Sequence, residues 1–218
     1  TRFRNVTGVQ TCALPISPTP CLMTGPYDWF EDATPRAEFD ERLARVRERM
    51  RAQNVDRLVV HGNAFDHAAL AWLTNFTPKL GPGFAFVEPD GPIRMLFSGG
   101  PGMKPSQQRL TFVENVSPAR GGADAGKWLA EGRAPGLVEG EALMQDTWRG
   151  ISTALGEAEP RSLDGDINAL RRSKSAVEMK HVARAVEMLE STVRGCVFIA
   201  SNGNRREIRS EEHTSELQ

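Results

Sequence analysis

Cysteine is scarce: Cys12, Cys21 and Cys196 are the three in 218 residues, and none stands in a C-x-x-C pair or a Cys/His cluster. That excludes a disulfide framework and a short zinc motif. Long apolar runs are also missing, since no stretch approaches the ~20 residues that a membrane-spanning helix requires. A basic excess is absent as well. The 27 Lys and Arg residues are balanced by 28 Asp and Glu for a net charge of −1, which argues against a phosphate-binding, nucleic-acid surface. No internal repeat is present. What remains is a globular chain, 39% hydrophobic and 25% charged, long enough for one good core and part of a second. The cytoplasm is the expected compartment.

The usual grammars of catalysis are lacking too. There is no G-x-S-x-G, and no serine, histidine and acid whose spacing points to a triad. Gly99 to Lys104, GGPGMK, separates its glycine from its lysine and has no Ser or Thr after it, so it fails as a phosphate loop and reads as a connector. Asp164, Asp166 and Asn168 imitate the first ligands of a calcium loop, but Ala169 replaces the glycine and Ser175 the closing glutamate. A turn with Asp166 as a cap is expected instead. Glu178 and His181 form one E-x-x-H pair, whereas a di-metal bundle needs a second pair and two more glutamates. His61 and His67 read as core or rim histidines, since no partner for proton transfer is evident.

The periodic segments carry more information. Thr34-Pro35 reads as a cap followed by proline at the first helical position, and Phe39, Leu43, Val46 and Met50 then mark one helix face. The pairs Glu38/Arg42 and Glu41/Arg45 stand four apart, each contributing ~0.2–0.5 kcal/mol on a solvated outer face. Asn54 closes that helix. Arg57 to His61 reads as a buried strand ending at Gly62, and a short helix is expected from about Ala64 to Leu73. Gly83 to Phe97 predicts two strands joined at Pro89-Asp90-Gly91-Pro92. Apolar pulses follow at Leu110 to Val113 and Gly136 to Val138, with helices near Asp124 to Ala130 and Met144 to Leu155. Strands alternating with helices around one hairpin imply a mixed sheet covered by helices.

Near the end, Arg171 to Ser173 reads as a connector, and Ser175 with Glu178 forms a capping box that starts a helix near Ala176. Met179, Val182, Val186, Leu189 and Val193 give that helix one apolar side, which requires a partner surface. The two termini are of another kind. VTGVQTCALPI at Val6 to Ile16 and RSEEHTSELQ at Arg209 to Gln218 resemble translations of the two strands of a common short-read sequencing adapter. Residues 1–16 and 209–218 are therefore set aside from fold reasoning. Met23 is a plausible original start.

Three segments together resemble the creatinase/prolidase family, which includes Xaa-Pro aminopeptidases. They are FDERLARVRERMRAQNVDRLVVHG (Phe39 to Gly62), DHAALAWLTNF (Asp66 to Phe76, with Trp72 and Asn75 where the family has tyrosine and glycine), and LRRSKSAVEMKHVARAVEM (Leu170 to Met188). The resemblance implies an α/β N-terminal domain over residues 24–170, a ribonuclease H-like mixed sheet flanked by helices. Residues 171–208 would be the linker and the first helix of a truncated pita-bread catalytic domain. In the family that domain holds two divalent metal ions (Mn, Co or Zn) through two aspartates, a histidine and two glutamates, and nothing after Glu207 supplies them.

What the resemblance implies is a metallohydrolase acting on a peptide or small amide substrate, a homodimer with neither nucleic acid nor membrane as partner, and a fragment inactive by itself. It offers His67, Trp72, Phe76 and Lys79 as candidates for the rim of the substrate site. Against that role, Trp72 and Phe76 stand four apart, a spacing that favours packing in the core. A non-catalytic peptide-binding or regulatory module of the same architecture is the rival reading. A free-standing α/β ligand-binding domain is the third.

Overall fold

The structure, a computed structural model, describes residues 28–78, 81–119 and 121–202. The adapter-like ends, the candidate start Met23 and the rim candidate Lys79 lie outside the described residues. Helix α1 (Arg36–Ala52) leads into β1 (Arg57–Gly62), α2 (Ala68–Thr74), and a hairpin of β2 (Gly83–Val87) and β3 (Arg94–Ser98). A short helix α3 (Lys104–Gln108) precedes β4 (Asn115–Ala119), followed by α4 (Gly122–Ala130), β5 (Pro135–Val138), α5 (Gln145–Leu155), β6 (Arg161–Ser162) and α6 (Asp164–Arg172). The long helix α7 (Ala176–Asn202) belongs to a separate unit that begins at Ser173.

The six strands form one mixed sheet in the order β4-β3-β2-β1-β5-β6. β1 pairs antiparallel with β2, placing Val59 opposite Phe86, and parallel with β5, placing Val60 opposite Val138. Strand residues alternate between faces, so β1 serves two cores. Leu58 and Val60 join Ala85 and Val87 beneath α1, α2 and α6, where Phe39, Val46, Met50, Leu70, Leu73 and Ile167 pack. Val59 joins Phe84, Phe86 and Leu137 on the opposite side, against Ala125, Trp128 and Leu129 of α4 and Ile151 of α5. The α4/α5 pair approaches backbone to backbone. A Cβ on Gly122 would stand 2.0 Å from the Thr147 carbonyl oxygen, and one on Gly126 2.7 Å from the Ile151 Cα. Only glycine admits that contact.

Several expectations need correction. Proline at 35 is the cap of α1 and no side chain caps it there; the Glu31 carboxylate accepts the Arg36 N–H at 3.0 Å instead of Thr34 acting as cap. The outer face of α1 is not uniformly solvated either. Arg42 and Glu38 form a 3.0 Å ion pair with side chains only 8% and 9% exposed. Arg42 also donates to the Trp72 carbonyl at 2.7 Å and lies over the Phe39 and Trp72 rings. Helix α2 starts at Ala68 rather than near Ala64, because Asn63 Oδ1 takes the N–H groups of both Phe65 and Asp66 and holds them in a turn.

The apolar pulse Leu110 to Val113 is buried but irregular, and the strand lies beyond it at β4. GGPGMK is more than a connector: a single 3₁₀ turn over Pro101–Met103 opens into α3. Asp164 and Asp166 occupy the first turn of α6 rather than a turn before it, and Arg171 and Arg172 its last. Acids at the start and cations at the end both complement the helix dipole. The hairpin, β1, the αL closure at Asn54 (φ 53°) and the start of α7 agree with the sequence reading.

A buried ion pair that loses one partner leaves an unpaired charge behind. Arg42→Ala should therefore destabilise the domain by about 3 kcal/mol in urea unfolding, whereas the exposed Arg49→Ala should stay within about 0.5 kcal/mol.

Candidate functional site

All strands except β2 run in the same direction as β1. The connection leaving β1 turns toward β2, and the one leaving β5 turns toward β6. The carboxyl ends of β1 and β5 are therefore a topological switch point, where an open α/β sheet leaves a crevice. Four polar residues build its floor. Asn63, just past β1, donates from Nδ2 to the Ala142 carbonyl at 2.9 Å, tying the two strand ends together. Glu139, just past β5, is left-handed at φ 58°. Its N–H donates to Asp164 Oδ1 at 2.6 Å, and its Oε1 accepts the Ala69 N–H in the first turn of α2 at 2.8 Å. Its Oε2 is buried with no partner among the described residues. His61 Nδ1 lies 3.3 Å from the Glu139 carbonyl oxygen.

Two adjoining cavities open there. One, of about 480 Å³, is lined by Asp66, Ala69, Glu139, Asp164, Asn168 and Arg171, among others. The second, of about 530 Å³, lies toward β6 and shares Glu141, Ser162 and Asp164 with the first. Burial pushes the Glu139 carboxyl above its ordinary pKa; the Ala69 N–H and Arg171 oppose this, and Asp66 and Asp164 add to it. Burial also holds His61 below the ordinary imidazole value, against the pull of the Glu139 carbonyl and of Asp66.

Three of the four candidate rim residues are among the described residues. His67 is half-buried at the N-cap of α2, its Nδ1 3.0 Å from the Asn63 carbonyl oxygen. Trp72 is half-buried against α1 under Arg42, and Phe76 is a core residue, 1% exposed. None of the three lines either cavity. The residues that do, Asp66, Glu139 and Asp164, escape a linear reading because strand order alone makes their neighbourhood a crevice. A polar residue directly after each apolar strand was the available signal.

Glu178 of the E-x-x-H pair is occupied by the capping box: its Oε2 accepts the Ser175 N–H at 2.9 Å while Ser175 Oγ accepts the Glu178 N–H at 3.1 Å. Among the described residues no three His, Cys, Asp or Glu side chains are grouped so that they could hold a metal ion. No described helix is long and apolar enough to cross a membrane.

This combination defines an open α/β domain with a mixed sheet, helices on both faces and an acidic crevice at its switch point. Residues 42–173, more than half of the chain, match the family model for the creatinase/prolidase N-terminal domain, and the chain belongs to that family. Solved structures agree on the fold. The prolidase from Pyrococcus horikoshii OT3 superposes with a TM-score of 0.58 at 15% identity, over 72% of this chain and 42% of that one. The prolidase from Pyrococcus furiosus gives 0.56 at 16%, over 72% and 45%. The X-Pro aminopeptidase from Thermotoga maritima MSB8 gives 0.51 at 14%, over 63% and 38%. The chain thus spans less than half the length of these proteins. A comparison with curated proteins found no match.

The raised Glu139 pKa fixes the sign of a pH effect. Its folded form binds a proton more tightly than the unfolded chain does, so stability is full below the ordinary carboxyl value and is lost as pH rises through the raised one. Glu139→Gln keeps an oxygen for the Ala69 N–H without that charge. It should raise the thermal midpoint at neutral pH, and the gain should vanish in acid below the ordinary carboxyl range. His61 acts in the other direction, with its stability present above pH ~6.5 and lost as pH falls toward its lower folded value.

Proposed function

We propose that this chain is the N-terminal portion of an Xaa-Pro peptidase-like metallohydrolase. In that reading a following pita-bread domain would carry two divalent metal ions, Mn, Co or Zn, and hydrolyse a peptide or related C–N bond. The observation that carries the reading, beside family membership, is the side chains of α7. Met179, Val182, Val186, Leu189 and Val193 recur at three- and four-residue steps and are 44–63% exposed. Monomeric proteins rarely leave so long an apolar stripe in water, and such a stripe marks a contact surface. The capping box gives the helix a defined start, so the stripe belongs to a designed element rather than to a frayed end. In this reading hydrolysis belongs to the following domain and the present chain is without activity of its own.

The same reading gives residues 24–170 the part of a domain that narrows the substrate mouth and supports a homodimer in the cytoplasm. His67 and Trp72, half-buried at either end of α2, and Lys79 beyond it are the residues proposed for the rim. The non-catalytic alternative, a peptide-binding module of the same architecture, is favoured by one observation, the crevice at the switch point.

Sequencing the gene downstream of the codon for Ile208 and assaying the longer product on Xaa-Pro dipeptides separates the two. The hydrolase reading expects two aspartates, a histidine and two glutamates in that order, and cleavage supported by Mn, Co or Zn. It also expects the 218-residue chain to cleave nothing under the same conditions. A longer product without those five ligands, or one that binds peptides and leaves them intact, makes the module the correct reading.

A further inference from the structure

We propose that the 530 Å³ cavity beside β6 is a binding site for a small organic cation, an ammonium carried on an apolar body. The cavity size falls within the range of small-molecule sites, and its place outside the carboxyl ends of β5 and β6 is where open α/β sheets bind ligands. Its walls are apolar, built from Leu137, Leu143, Pro160 and the indole of Trp148, and Trp148 on α5 stays 41% exposed although it is among the largest side chains. Among the described residues the ionisable lining is of one sign: Glu141, Glu159 and Asp164, without Lys, Arg or His.

The acids are not equivalent. Asp164 already spends both oxygens, accepting the Glu139 N–H on Oδ1 and the Ser162 hydroxyl on Oδ2. Glu141 and Glu159 make no hydrogen bond or ion pair among the described residues, so their oxygens are available. An ammonium in the cavity meets carboxylates on its lining, while an apolar body meets Leu137, Leu143 and the Trp148 indole. An anion would meet three like charges, and an uncharged ligand would forgo the only ionic complement the cavity offers. This proposal rests on the cavity alone and does not depend on the hydrolase reading.

Titration of the 218-residue chain with phenethylammonium, followed by calorimetry and tryptophan fluorescence, tests it, with uncharged phenethyl alcohol as the matched probe. The cation should saturate a single site and bind about tenfold more tightly than the alcohol, the ratio that one good charge contact supplies. The preference should shrink as salt rises, and the double variant Glu141→Gln, Glu159→Gln should abolish it while still binding the alcohol. Trp148→Leu should remove the fluorescence response and weaken both probes. Because these three side chains lie at the surface, the variants are expected to keep the parent circular dichroism, and Arg149→Ala, one position away and outside the lining, should bind as the parent does. Equal affinity for the two probes, no saturable binding of the cation, or a cation preference unchanged in the double variant overturns the proposal.

Discussion

Strand β1 is buried on both faces, and the rest of the domain follows from that constraint. Leu58 and Val60 on one side and Val59 on the other are essentially inaccessible to water, so neither face of the central strand tolerates solvent. Two helical layers are required, and alternation along a strand of six residues distributes the apolar groups to both. One layer comes from α1, α2 and α6; the other comes from α4 and α5, locked by the glycines that let their backbones touch. Placing helices on both sides forces the chain, after β4 at the far edge, to cross back over the sheet and add β5 next to β1.

That return is what makes the crevice. With β5 parallel to β1 and its continuation leading away toward β6, the strand ends diverge and nothing in the backbone fills the gap. The side chains that do so are polar because they also satisfy exposed backbone groups: Asn63 for the Ala142 carbonyl and for two N–H groups of its own turn, Glu139 for the start of α2, and Asp164 for the Glu139 N–H. Satisfying donors in this way draws carboxylates into one place. Part of the resulting charge is carried at a cost, visible in the raised Glu139 pKa and its unpartnered oxygen.

Local grammar explains what could be read in advance. The apolar face of α1, the capping box of α7, the hairpin around Gly91 and the strand Arg57 to Gly62 each depend on residues within a few positions of one another, and all four are present. The misplaced features depend on partners remote in sequence or on a side chain that outcompetes helix formation. Arg42 is buried because Trp72, thirty positions later, stacks over it; no helical wheel contains that information. Asn63 delays α2 and Ser162 advances α6 by presenting side-chain oxygens to backbone N–H groups. Phe76 illustrates the same limit from the other direction: its spacing to Trp72 favours packing, and only tertiary contacts show that it is the member of the pair sealed in the core. The cavities were least legible, since residues 66, 139 and 164 become neighbours solely through strand order.

A balanced composition conceals one further consequence of this topology. At the end of the sheet where β1 begins, arginines are spent on carbonyls, rings and acids: Arg47 on the Glu88 and Gly91 carbonyls, Arg57 on the Trp128 carbonyl and the Glu131 carboxylate, Arg51 beside Asp90, and both Arg57 and Arg94 over the Trp128 indole. At the end where β1 and β5 finish, Asp66, Glu139, Glu141 and Asp164 line one cavity with Arg171, the one cation among its described lining residues. The arginine edge is consumed by structural bonds, whereas the acidic edge borders open volume and retains carboxylates with no partner among the described residues. It is at this edge that the proposed cation finds carboxylates not already committed to the fold.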